Sequence, residues 1–403
     1  MPGAQARRDD TLEELKPMDQ NATLPPLTAS QLEALAAIPE LGDSVFPRQT
    51  AVLPAANYTD PARFAEEMRA VFHRLPVIAG PSALLAEPRS YFHQELAGMP
   101  ILVTRNKDGK VNAFANVCRH RGMKLCTAKD PERAPRIVCP YHAWSYNLDG
   151  ELVGMPRAEV FPGLDKSTLG LTRLPCVEAG GLIWVGLTPD HQYDFSLIEG
   201  QLGQELGAIG LQSAHVFDRA VFTVQGNWKL VMDSMLDSYH VTRLHKDSLG
   251  KFFVDAQNIL DCIGPHMRVA TARGNFRREL VSDEYDALRQ IMIFAYTPFP
   301  NGIIVPSPDF TSLGIVRPLS VDRTEVDYYV LAARKPETEK MEGKLRRSFE
   351  LMRTVFGTED YWAAEMCHAG LKSGAIKEIY TGGMEVQIPL FHGFIEQALQ
   401  AAK

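Results

Sequence analysis

Several features that define other classes of protein are missing from this sequence. No apolar run approaches the roughly 20 residues that a helix needs to cross a bilayer. The first residues, MPGAQARRDDTLEELKP, lack the apolar core of a secretory signal peptide. Cysteine is scarce, with 6 in 403 residues, which excludes a disulfide framework. We therefore expect a cytoplasmic protein with reduced cysteines and no membrane partner.

Two further absences concern partners and cofactors. The formal net charge of -7 and the pI near 5.9 argue against nucleic acid as the main partner. The sequence contains no G-x-G-x-x-G fingerprint and no Walker-type loop, so it offers no evident site for a nicotinamide or a flavin. If the protein carries out redox chemistry, its electrons must come from another polypeptide.

The pattern of turns and apolar residues divides the chain into three parts, and the length of 403 residues allows two domains with separate cores. Residues 1–43 are polar and interrupted by proline, and we expect this segment, with a helix at Ala29–Ile38, to pack on the core. Residues 44–190 show short alternating strands, which predicts a small antiparallel β domain. Residues 191–403 mix strands and helices, which predicts an antiparallel sheet flanked by helices and an α+β fold overall. Predicted helices include Pro61–Phe72, Asn227–Lys246 and Pro389–Ala401.

Two short motifs each combine one cysteine with one histidine. They are Cys118-Arg-His120 and Cys139-Pro-Tyr-His142. Two thiolates and two imidazoles are the ligand set of a [2Fe–2S] cluster with sulfur on one iron and nitrogen on the other, and the neutral histidines raise its reduction potential. The alternative is a Cys2His2 zinc site, but zinc fingers place two cysteines in one pair and two histidines in the other. Cys126 has no partner at ligand spacing, so we expect it to be a packed core residue.

A second group of metal-binding residues lies on the predicted helix Asn227–Lys246. Asp237 and His240 are three residues apart and share one helical face. His245 follows five residues after His240, so a regular helix would turn it away from that face. We therefore expect the helix to distort or end near Val241–Leu244. Two histidines and a carboxylate form the facial triad of non-heme Fe(II) oxygenases, although isolated surface histidines are the alternative.

Together these motifs resemble the alpha subunit of Rieske ring-hydroxylating oxygenases. The resemblance lies in NVCRHRGMKLC and CPYHAWSYNLDG, and in D-x-x-H-x-x-x-x-H after Asn-Trp-Lys, and it extends from about residue 44 to about residue 385. It implies a terminal oxygenase that uses O2 and that receives NAD(P)H-derived electrons only through a reductase, with or without a ferredoxin. It also implies one [2Fe–2S] cluster and one mononuclear Fe(II) per chain, held respectively by Cys118, His120, Cys139 and His142, and by His240, His245 and a distant acid.

The resemblance also assigns roles to acidic residues. Relatives carry the third iron ligand in a late helix, and Asp360 in TEDYWAAE is the best match, with Glu359 as its nearest rival. Glu365 is expected to cap the helix or to pair locally. Asp237 matches the acid that links a cluster histidine of one subunit to an iron-ligand histidine of the next, which implies a head-to-tail ring, expected to be a homotrimer.

The expected reaction is hydroxylation, single or as a cis-diol, of an aromatic or other hydrophobic molecule. Oxidative N- or O-demethylation is an alternative within the family, and a pure electron-transfer Rieske protein is an alternative outside it. Some relatives that act on quaternary ammonium compounds have Glu as the bridging acid, so Asp237 weakly favours aromatic or other hydrophobic substrates. Where many relatives have Glu-Asn, this chain has Asp233-Ser234. The predicted pocket residues are Met232, Leu236, Phe252, Phe253, Ile293 and Phe294.

Overall fold

Short strands dominate the first half of this computed structural model, which describes residues 24–39, 48–250 and 253–403. A five-stranded sheet has the order β10-β5-β4-β3-β6, and two three-stranded sheets have the orders β11-β12-β2 and β7-β8-β9. The strands are β1 (Ala51–Pro54), β2 (Val77–Pro81), β3 (Ser90–Leu96), β4 (Met99–Arg105), β5 (Val111–Ala115), β6 (Glu132–Arg133), β7 (Arg136–Val138), β8 (Ser145–Asn147), β9 (Leu152–Gly154), β10 (Arg173–Leu174), β11 (Cys176–Ala179) and β12 (Leu182–Val185).

The second half is built on a seven-stranded antiparallel sheet with the order β13-β19-β18-β17-β16-β15-β14. The interior strand β18 is buried on both faces along most of its length, because helices and the first half of the chain cover it. The mixed α+β class with antiparallel sheets is confirmed. The strands are β13 (His215–Val224), β14 (Phe253–Ile263), β15 (His266–Arg273), β16 (Met292–Thr297), β17 (Gly302–Pro306), β18 (Phe310–Ser320) and β19 (Arg323–Ala332), and β20 (Glu378–Thr381) returns to pair with β1.

The helices largely follow the predicted apolar periodicity. The predicted helix Pro61–Phe72 is found as a helix that ends in one π-helical segment, Met68–Phe72. The predicted single helix Asn227–Lys246 is wrong, because residues 237–240 interrupt it. The helices are α1 (Ala29–Ala37), α2 (Ala56–Thr59), α3 (Pro61–Glu67), α4 (Gly203–Ala208), α5 (Trp228–Leu236), α6 (Val241–Leu244), α7 (Tyr285–Leu288), α8 (Glu339–Thr354), α9 (Tyr361–Lys372) and α10 (Gln387–Ala401).

The two halves share a hydrophobic core, although the length of the chain would allow two separate ones. Successive side chains of a strand point to opposite faces, and β4 uses both. Its Ile101 and Val103 join a cluster that also contains Trp228 and Phe391 from the second half. Leu102, between them, packs in a smaller cluster made entirely from residues 91–171. The strand therefore holds the small β lobe against the larger core.

The N-terminal helix α1 packs on the far side of the large sheet. Leu27 and Leu35 belong to a cluster that contains residues of β15 to β19. Gln31 donates a hydrogen bond from its side-chain amide to the hydroxyl of Tyr296 over 2.8 Å, and both residues are buried. Residues 1–23 and 40–43, the rest of the predicted N-terminal segment, lie outside the described residues, as do residues 44–47.

The sequence Asn227-Trp-Lys begins α5 and ties it to α3. The Asn227 side chain caps the helix by accepting from the backbone N–H of Lys229. Trp228 Nε1 and Lys229 Nζ both donate to Glu67 Oε2, over 3.0 and 2.5 Å. Burial lowers the pKa of Lys229, although Glu67 opposes this effect. Arg63 also binds Glu67, over 2.9 Å, so one buried carboxylate joins three donors.

Replacing Glu67 by alanine is expected to lower the free energy of unfolding by about 3–5 kcal/mol, because the Lys229 ammonium is left buried without its partner. Urea unfolding at neutral pH measures the change. Glu66→Ala is the matched control, since Glu66 is exposed on the same helix, and it is expected to stay within about 0.5 kcal/mol of the parent. Equal destabilisation by both substitutions would contradict the assignment.

Candidate metal centres

The predicted cluster ligands lie on two loops with the same backbone hydrogen bonds. In the first loop, the N–H of Cys118 donates to the carbonyl of Met123, and the Cys118 carbonyl accepts from the N–H of Gly122. In the second, Cys139 N–H donates to Trp144, and the Cys139 carbonyl accepts from Ala143. The fifth residue of each loop has a positive φ, 74° at Gly122 and 58° at Ala143. Two equivalent turns thus present one cysteine each.

The four side chains on these loops come together. Cys118 and Cys139 are both 2% exposed, and the ring centroids of His120 and His142 are 4.5 Å apart. Trp144 stacks on His120 at 4.8 Å, which shields that ring on one side. His142 Nδ1 is buried and has no hydrogen-bond partner among the described residues. Two buried sulfurs and an orphaned imidazole nitrogen fit a bound metal cluster.

The surroundings of the two thiols support the same interpretation. Burial raises the pKa of Cys118, and the nearby Cys139 thiol adds to this, whereas the hydroxyl of Tyr146 lowers it. Two adjacent buried thiolates therefore need a positive metal centre to be stable. Cys126, as predicted, is a packed core residue; burial raises its pKa to about 11, and its thiol donates to Glu132.

The predicted iron ligands meet in the second half of the structure. The Nε2 atoms of His240 and His245 are 3.2 Å apart, and Asp360 Oδ1 lies 3.3 and 3.2 Å from them. One donor atom from each of the three side chains lies within 4.8 Å of the others, an arrangement that could hold a metal ion. Asp360 is 1% exposed, yet its Oδ1 accepts no hydrogen bond from any described residue. A buried carboxylate oxygen that accepts no hydrogen bond fits a metal ligand.

A break in the chain brings both histidines to one point. Helix α5 ends at Leu236, and Asp237 has extended backbone angles, φ -109° and ψ 120°. His240 then precedes α6 and His245 follows it. The expected distortion is therefore present, but it begins four residues before Val241–Leu244. Because Asp237 lies in the break, the prediction that it shares a helical face with His240 is wrong.

A carboxylate contacts the outer nitrogen of each histidine. Asp237 Oδ2 lies 3.1 Å from Nδ1 of His240, and Glu359 Oε2 lies 2.6 Å from Nδ1 of His245. Burial lowers the pKa of His240, but Asp237 and Asp360 outweigh it and raise the pKa to about 9. Burial also lowers the pKa of His245, but Asp360 and Glu359 outweigh burial and raise this pKa. Glu359, the rival third ligand, thus lies on the far side of the ring from Asp360. Glu365 accepts from the backbone N–H of Gln225, which lies 140 residues away, so the expected local pairing is wrong.

A cavity of about 190 Å³ opens beside the three clustered side chains. Leu236 lines it, as predicted. Met232, Ile293 and Phe294 do not line it and are buried elsewhere in the core. Phe252 and the side chain of Phe253 lie outside the described part of the chain. The lining residues are Ser234, Met235, Leu236, Asp237, Ser238, His240, Val241, Thr242, His245, Leu249, Val269, Thr271, Ala295, Val305, Met352, Val355, Phe356, Asp360 and Gln387.

Two family models match successive parts of the chain. The Rieske [2Fe-2S] domain matches residues 76–169, and the catalytic domain of the ring hydroxylating alpha subunit matches residues 211–401. Choline monooxygenase from Atriplex hortensis is 30% identical over 375 residues, which cover 89% of this chain and 80% of that protein. The chain belongs to the Rieske ring-hydroxylating oxygenases. It is the terminal oxygenase subunit of such an enzyme, and as a member of the family it carries a Rieske [2Fe–2S] cluster and a mononuclear iron.

Solved structures show the same fold. The quaternary ammonium Rieske monooxygenase CntA in complex with L-carnitine superimposes with a TM-score of 0.74 at 21% identity, over 94% of this chain and all of that one. Naphthalene 1,2-dioxygenase from Rhodococcus sp., bound to indole, gives 0.71 at 20% identity, over 93% of this oxygenase and 99% of that chain. Among the described residues of this Rieske oxygenase, no helix is both long and apolar enough to span a membrane.

Proposed function

We propose that this Rieske oxygenase hydroxylates a small, uncharged and largely apolar organic molecule. The cavity beside the clustered histidines supports this proposal, because ten of its 19 lining residues are apolar. Its volume of about 190 Å³ compares with the roughly 150 Å³ of an engineered apolar cavity that holds benzene. A molecule of about one ring therefore fits, and the larger part of its surface would contact apolar side chains.

We further propose a separate role for each group of residues. Cys118, His120, Cys139 and His142 would hold the cluster, and His240, His245 and Asp360 would hold the Fe(II). When bound, the cluster supplies single electrons and the iron activates O2, so that one oxygen atom enters the substrate and the other leaves as water with two protons. The protein's own contribution is to keep both Nε2 atoms and one buried carboxylate oxygen directed at one point, next to an apolar wall.

Asp237 is proposed as the bridge between the two metals. One of its oxygens lies 3.1 Å from His240, the other accepts from the N–H of Tyr239, and the side chain is 18% exposed. A neighbouring subunit can therefore bring a cluster histidine to it. Because this contact joins two different surfaces, it closes into a ring, and we propose a homotrimer that receives electrons from a reductase, with or without a ferredoxin.

The proposed division of the chain is an N-terminal segment, residues 1–43, a cluster-binding domain, residues 44–190, and a catalytic iron domain, residues 191–403.

A quaternary ammonium substrate, oxidised at an N-methyl group, is the second candidate. The relative from Atriplex hortensis, which is named for choline, favours it. The cavity gives less support, because cations of this kind are usually held by several aromatic faces. Phe356 is the single aromatic residue among the described lining, and the two carboxylates of the lining, Asp237 and Asp360, already face the histidines.

A single-turnover experiment distinguishes the two candidates. The protein is reduced chemically without oxygen, freed of excess reductant, and exposed to O2 with one probe. The matched probes are choline and its neutral analogue, in which a quaternary carbon replaces the nitrogen, and toluene serves as a single-ring probe. Mass spectrometry is expected to find a hydroxylated product from the neutral analogue or toluene and none from choline. Product from choline alone would favour the second candidate and overturn the first.

The cluster assignment predicts that Cys139→Ser abolishes the visible absorbance and the Rieske EPR signal, because serine replaces a thiolate that binds iron in the proposed site. Cys126→Ser is the matched control, since Cys126 is similarly buried but donates to Glu132. We expect it to retain the full EPR signal. An unchanged signal in the Cys139 variant would refute the ligand set.

A further inference from the structure

One oxygen of Glu359 receives two hydrogen bonds at the proposed iron site. The Nδ1–H of His245 donates to Glu359 Oε2 over 2.6 Å, and the hydroxyl of Ser248 donates to the same atom over 2.7 Å. The His245 side chain is 6% exposed and the Glu359 side chain 20%. Both contacts are as short as charge-assisted hydrogen bonds, which are stronger than neutral ones.

Local backbone geometry explains how two consecutive acids reach one ring. Residues Val355–Asp360 form a π-helical segment between α8 and α9. Asp360 Oδ1 lies 3.2 Å from His245 Nε2, while Glu359 approaches Nδ1. Neighbouring residues on a helix point about 100° apart, and the longer glutamate side chain spans the difference. Segments of this kind are frequent at functional sites.

We propose that Glu359 is a positioning residue for the mononuclear iron. Its carboxylate keeps the proton of His245 on Nδ1, so that the lone pair of Nε2 stays directed towards the metal, and Ser248 holds the carboxylate in place. This inference rests on the proposed iron ligands. It gives the two carboxylates different roles, because Asp237 serves the transfer of electrons and Glu359 serves the retention of the metal.

Metal affinity tests the proposal directly. Protein that keeps its cluster but has lost the mononuclear metal is dialysed against Co(II) alone, and bound cobalt is counted by mass spectrometry. Glu359→Ala is expected to weaken Co(II) binding by about 10- to 100-fold. Glu359→Gln should recover part of this loss, because its amide oxygen still accepts from Nδ1–H. Ser248→Ala is expected to cause a smaller loss. Glu365→Ala, whose carboxylate binds the Gln225 backbone, is expected to bind as the parent does.

The EPR spectrum of bound Co(II), recorded with the cluster oxidised and silent, gives a second measurement. A positioning role predicts an altered spectrum in Glu359→Ala and a near-parental one in Glu359→Gln. Co(II) binding by Glu359→Ala within twofold of the parent, with the parental spectrum, would overturn the inference. Failure of the proposed iron site is distinguishable, because His240→Ala and His245→Ala would then bind Co(II) as tightly as the parent.

Discussion

Replacing His240 or His245 by alanine is expected to lower turnover by at least about a hundredfold, because residues that merely orient a metal ligand already cost 10- to 100-fold. The [2Fe–2S] absorbance is expected to stay unchanged. The cluster loops pack in a hydrophobic cluster made from residues 91–171, whereas both histidines lie next to α6. Oxygen consumption and the visible spectrum of the purified variants measure the two effects.

A matched control is His191→Ala, because His191 contacts Tyr193 and lies outside both proposed metal sites. We expect it to retain turnover. Asp360→Ala should behave like the two histidine variants, since its Oδ1 completes the group. Loss of cluster absorbance in a variant of His240 or His245, or substantial turnover without either imidazole, would contradict the proposed division of labour.

Asp237→Asn is expected to reduce the rate of electron transfer to the mononuclear site by about 100-fold or more, while both metals stay bound. An amide has one acceptor oxygen and a donor nitrogen in place of two acceptor oxygens. The amide oxygen can still accept from His240 Nδ1–H, but no second acceptor oxygen remains for the cluster histidine in the proposed bridge. Stopped-flow reoxidation of the reduced cluster in a single turnover measures the rate.

Asp247→Asn is the matched control for this prediction. Asp247 is exposed and lies just after His245, so the same change of acid to amide leaves the proposed bridge intact. We expect the parental rate from this control. Reoxidation at the parental rate in the Asp237 variant, or full activity from a monomer in solution, would overturn both the bridge and the ring.

The short strands of the first half were predictable, because alternating residues and turn signals mark this part of the chain. The position of the break in the helix after Leu236 was not predictable, since residues 237–240 carry no proline or glycine. Side-chain contacts cause it: Asp237 accepts from the N–H of Tyr239 over 2.5 Å, and Ser238 donates to the carbonyl of Met384. Short polar side chains that bond to the backbone compete with the helix, and one of these partners is far away in the sequence.

The sequence alone also could not show how Glu359 and Asp360 divide their roles at the proposed iron site. On a regular helix one of the two residues would turn away, so the two acids were rivals for one position. The π-helical segment Val355–Asp360 and the length of the glutamate let both reach His245, from opposite sides. Periodicity likewise could not tell cavity residues from core, because Leu236 and Met232 have the same apolar character and lie one turn apart.

The position of β4 between two hydrophobic clusters has a consequence for how electrons arrive. A carrier that swings between donor and acceptor needs a seam between its domains that can open, and small polar interfaces permit such motion. Here Ile101, Leu102 and Val103 bury both faces of one strand, and Glu67 ties α3 to α5. The cluster is therefore stationary with respect to its own iron domain. The reductant has to travel to it, so the rate of delivery should depend on collision and ionic strength rather than on hinge motion.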